Sequence, residues 1–256
     1  MSALVQRAFQ RQRAVAALIA ALVALAWLVL WVWGQSPYGR LLSHHSLNEL
    51  RGGGVLLLVF LTGWALMTVA MMLPTSLPLV LMFGAMVRRR PDRTRLVLLL
   101  LAGYLGIWLL FGLAVYVSDW ALHVALAQYP WLDAHARLLG AATLVLAGLY
   151  QFTPLKYHCL DRCRSPLSFI VEHWGRRNEA RQAFRLGVAH GLFCLGCCWS
   201  LMLLMFTVGL GNLGWMLALG AVMAVEKNAA WGRQLSAPLG ALLVFAGLLL
   251  LYVGAV

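Results

Sequence analysis

Charge is what this sequence has least of. Lys, Arg, Asp and Glu make up 11% of its 256 residues, and Asp and Glu number only 8 against 20 Lys and Arg. Soluble domains carry about 25% charged residues. With 62% of residues hydrophobic, a soluble fold of this length has no means of hiding its apolar surface, and the excess must face lipid. The apolar runs lack the two-residue alternation of a transmembrane barrel, which leaves helices as the spanning elements. The first run, Arg7 to Trp33, is too long for a signal-peptide core and lacks a small-residue cleavage site, so it reads as a retained span. A Walker A sequence and a soluble ATPase domain are absent, as is a pair of histidines on separate spans to ligate a haem. Internal repeats and low-complexity tracts are lacking too.

Seven apolar segments are present: Ala14–Trp33, Val55–Val87, Leu96–Val117, His135–Phe152, Leu186–Leu210, Leu213–Val225 and Ala237–Val256. The expected fold is an all-α, polytopic transmembrane bundle of about seven spans, or six if the short sixth segment merges or drops out. The whole chain, 1–256, reads as one integral membrane domain. The second segment is interrupted by Pro74 and Pro78, which predicts a kink, a tilt or an extension past the bilayer.

The net charge of +12 would suggest nucleic acid in a soluble protein; here its distribution explains it without one. Of the 20 basic residues, 17 fall in the N-terminal tail and the second, fourth and sixth connections; Arg40, Arg51 and Arg137 are the 3 on the other side. Basic residues collect on the cytoplasmic side of spans. The N-terminus is therefore expected inside, in a multi-pass protein of a bacterial cytoplasmic membrane. The connection 151–185 is expected to be a basic cytoplasmic segment on the anionic inner leaflet. The 11 Trp fit interfacial anchoring.

The fifth segment is the informative one. His190, Cys194, Cys197 or Cys198, Met202 and Met205 recur at three- and four-residue steps and share one helix face. The ladder rises about 22 Å, and every rung carries nitrogen or sulfur. Thiolates and thioethers select soft ions, copper(I) foremost. A single cysteine reads as a small apolar filler, but three within five positions, with His and Met on the same face, favour a metal site.

The second segment supplies Met67, Met71 and Met72 just before Pro74, with Met82 and Met86 further on; alone, this stripe reads as packing. Pro74 also frees a backbone carbonyl one turn back for a polar neighbour or an ion. In the fourth connection His158, Cys159 and Cys163 form a plausible loading site in a compartment that keeps thiols reduced. Glu226, one turn after Met223, is either a ligand or, with Lys227, a snorkelling anchor. His44, His45, His123 and His135 lie on or near the outer side.

Four stretches resemble a bacterial family of metal-binding integral membrane proteins that includes a membrane copper chaperone for tyrosinase and laccase. They are MTVAMMLPTSLPLVLMF (Met67–Phe83), YQFTPLKYHCLDRCRSPLSF (Tyr150–Phe169), HGLFCLGCCWSLMLLMF (His190–Phe206), and the NLGWM and later EK of Asn212–Lys227. The resemblance implies copper supply to an oxidase outside the cytoplasmic membrane. It carries metal-site roles onto Met67, Met71, Met72, Cys159, Cys163, His190, Cys194, Cys197, Cys198 and Met202. Three functions compete: a copper(I) chaperone for an apo copper oxidase, a soft-metal exporter or permease, and a quinone-linked thiol oxidoreductase. The last needs thiol pairs at the oxidising face, whereas the charge count puts Cys159 and Cys163 inside.

Overall fold

A computed structural model describes residues 3–35, 53–128, 136–175, 178–208 and 212–255. It is 91% helical and has no strand among these residues. The helices are α1 (Ala3–Gln35), α2 (Gly53–Thr75), α3 (Leu77–Met86), α4 (Arg93–Gln128), α5 (Ala136–Tyr150), α6 (Pro154–Arg164), α7 (Pro166–His173), α8 (Glu179–Val208), α9 (Leu213–Asn228) and α10 (Ser236–Ala255). His44, His45 and His135 lie outside the described residues, as does the side chain of His123.

Among the described residues, five helical stretches are long and apolar enough to cross a membrane: Ala16–Gln35, Gly54–Thr75, Arg93–Leu122, Glu179–Met205 and Gly232–Tyr252. Leu138–Tyr150 and Pro154–Arg164 meet the same measure only when taken together, across a bend of 63°: a broken span or a re-entrant loop. The bend has a local cause. Thr153 is extended and its hydroxyl accepts from the Lys156 N–H, with Pro154 in the first turn, so a fresh helix starts in a new direction. The sixth apolar segment forms α9, whose 16 residues rise only about 24 Å, short of a bilayer core of about 30 Å.

The prolines divide the second segment. Pro74 cannot donate to Ala70 O, and the Trp27 indole N–H supplies that bond instead, at 3.2 Å. α2 ends at Thr75, and α3 begins after Ser76 with a proline in its first turn. The connection 151–185 is not one loop. It holds α6 and α7, and α6 buries Lys156, Cys159 and Leu160.

Small residues set the closest helix contacts. α4 and α8 pack so tightly that a Cβ on Gly187 would strike the Leu100 carbonyl, and one on Gly103 the Phe184 carbonyl. α6 lies against α8 at Gly196, where an added Cβ would sit 2.5 Å from Cys159 Sγ. The outward faces stay apolar: Leu58, Leu98, Leu110, Leu146, Leu242 and Phe245 are all exposed.

Candidate metal centre

α8 turns its ladder inward. His190, Cys194, Cys197, Cys198, Met202 and Met205 are all buried, as are Met67, Met71 and Met72 on α2. All but His190 join one apolar cluster, which also takes in Cys159. All five cysteines are free thiols.

Within this cluster the sulfur atoms converge near one end of α2. Cys194 and Cys198 are one turn apart, and the Cys198 thiol is 3.7 Å from Met72 Sδ. Cys197 and Cys198 donate back to Cys194 O at 3.0 and 2.9 Å. Cys163, in the last turn of α6, faces Cys194 and Cys197. The Tyr104 hydroxyl on α4 donates to Met72 O and lies 3.2 Å from Cys194 Sγ, also 3.2 Å from that carbonyl oxygen. Met72 O, which also accepts from the Thr75 hydroxyl, is thus fixed on two sides where the helix breaks.

Lys227 completes the group. Its ammonium lies 3.0 Å from Cys194 Sγ, 3.7 Å from both Cys198 Sγ and Met72 Sδ, and 3.4 Å from Thr75 Oγ1. The ammonium thus stands among sulfurs drawn from α2 and α8.

The other expected ligands divide. His190 is hydrogen-bonded through Nε2 to Ser76 at 3.1 Å and stacks on Tyr104, while its Nδ1 has no hydrogen-bond partner among the described residues. Met71 packs against Gly220 of α9. Cys159 rests on Gly196. His158 is exposed and packs against Phe193. Glu226 points away from the sulfurs: its carboxylate is 2.7 Å from Lys156 Nζ and accepts from Ser236 at 2.6 Å. Lys156 is also bonded to Gln151, whose amide donates to Ser200 on α8 at 3.1 Å. Among the described residues no three His, Cys, Asp or Glu side chains form a metal-holding group. The group that does form has two thiols and a thioether around an ammonium. Tyr104 and Lys227 were not singled out as site residues from the sequence. Lys227 had a signal, an acid–base pair inside an apolar helix, but Tyr104 had none.

Sulfur donors gathered in an apolar interior are chemistry for a soft monovalent ion. The family model of the PpoB2 copper chaperones matches residues 61–250. The chain belongs to that family. No curated protein and no solved structure matches it. The PpoB2 match runs from α2 into α10, so it takes in every member of the sulfur group and leaves α1 outside.

Proposed function

We propose that this PpoB2 chain is a membrane-embedded copper(I) carrier that passes the ion to an apo copper oxidase outside the cytoplasmic membrane. The observation that carries the reading is the buried convergence of Cys194, Cys198 and Met72. Two thiolates and a thioether suit copper(I), a soft ion content with few ligands. Cys163 is half-buried beside Cys194 and Cys197, which supports its passing the ion to them. Met67, Met71, Met202 and Met205 supply softer, neutral sulfur beyond the thiols, from which an ion leaves more readily. Binding and handover, rather than bond-making, are the work of such a site. The 17-to-3 split of basic residues supports loading on the cytoplasmic side.

The test is the copper content of the purified protein and the activity of a co-expressed copper oxidase. Cys194→Ser with Cys198→Ser is expected to abolish stoichiometric copper and leave the oxidase without its metal. Unchanged copper and oxidase activity would exclude the reading.

A further inference from the structure

We infer that Lys227 is a specificity determinant: a fixed positive charge that matches the sulfur pocket to a monovalent ion and turns divalent ions away. This rests on the copper reading of the same site.

The geometry is specific. The Lys227 ammonium is buried, and the groups in reach are three sulfurs and one hydroxyl. The carboxylate next to it in sequence is committed elsewhere, because Glu226 is paired with Lys156 and Ser236. The Lys227 charge is therefore balanced by sulfur or by nothing nearby.

A buried net charge is costly, so the occupied pocket must sum to about zero. Copper(I) on the Cys194 and Cys198 thiolates, with the thiol protons given up to water, leaves −1 on the dithiolate. Lys227 cancels it. A divalent ion on the same two thiolates leaves the pocket at +1 with Lys227 present. To cancel that, a third thiol, Cys163 or Cys197 beside Cys194, would have to give up its proton as well. Remove the ammonium and the balance inverts: the copper(I) pocket becomes anionic and the divalent one neutral.

The experiment uses the full chain purified in detergent. Copper(I) affinity is measured against bicinchoninate, and zinc(II) affinity against a chromophoric zinc chelator. For Lys227→Met the copper(I) affinity is expected to fall and the zinc(II) affinity to rise, narrowing their ratio by on the order of a hundredfold; charges about 4 Å apart in a partly polar interior interact strongly enough for this. Lys227→Arg keeps the charge and is expected to keep the preference for copper(I). Circular dichroism and size exclusion report folding, and Lys227→Gln is read if the methionine variant fails to fold.

An unchanged copper-to-zinc ratio in a folded, uncharged variant overturns the inference and leaves the copper reading standing. Wild-type protein that binds no copper(I), or binds it equally after Cys194→Ser with Cys198→Ser, overturns the copper reading and the inference with it.

Discussion

Glu226 and Lys227 are neighbours in sequence, yet they serve different partners. One step along a helix turns the side chain by about 100°, which sends Glu226 towards α6 and Lys227 towards α2 and α8. The Lys156–Glu226 pair is almost wholly buried, at 0% and 2% side-chain exposure, so removing one charge strands the other without solvent. Glu226→Gln or Lys156→Met alone is expected to cost about 3–5 kcal/mol, and an apolar replacement of both far less. Thermal unfolding in detergent of the two single variants and the double variant measures this. The sequence placed Glu226 between ligand and anchor, and the structure pairs it with Lys156 and Ser236. Its partner is 70 residues upstream, which no local pattern reveals. The shared helix face of Cys194, Cys198 and Met202 was legible from spacing, and the structure buries it.

At the scale of elements, the fit of α6 on α8 governs the site. Gly196 leaves room for Cys159, and the Tyr150 hydroxyl donates to its carbonyl. Gly196→Val is expected to push α6 outward, expose Cys159 to maleimide and weaken copper binding while helix content is retained. A Cys159 that labels no faster than in wild type would count against this packing account. The break at Pro74 carries a second prediction. Trp27→Phe removes the donor to Ala70 O, and stranding that carbonyl is expected to cost about 1–3 kcal/mol, read as a lower melting temperature. Pro74 announced its freed carbonyl in the sequence, but not the donor, which is 43 residues away on α1. The helices α6 and α7 were hidden in what read as a basic connection. Their charges mask how few residues, Lys156, Cys159 and Leu160 on α6 and Phe169 and Ile170 on α7, need to be buried to dock them.

For the whole molecule, composition was enough to indicate an all-helical architecture, since so little charge leaves few alternatives. Span number was harder, because length and hydropathy do not tell a short helix from a bent one. The fourth segment stops at Tyr150 and resumes at Pro154 on a new heading, and the sixth is too short to cross straight. Sidedness is open to direct measurement. The seven-segment count expects 17 of 20 basic residues on the cytoplasmic side, so a fluorescent reporter fused after Arg90 is expected to be bright, and an alkaline phosphatase fused there inactive. The reverse result would move the loading side proposed above.

The sulfur group draws on α2, α8 and α9, so Met72 and Lys227 are separated by 155 positions of chain. During synthesis the three thiols of α8 leave the ribosome well before Lys227 does. A nascent chain therefore holds the α8 cysteines, and Met72 made before them, without their counter-charge. On the inference drawn above, the preference for a monovalent ion is in this sense acquired only once α9 is made. A chain stalled before α9 would hold the sulfurs without the charge inferred to select among ions.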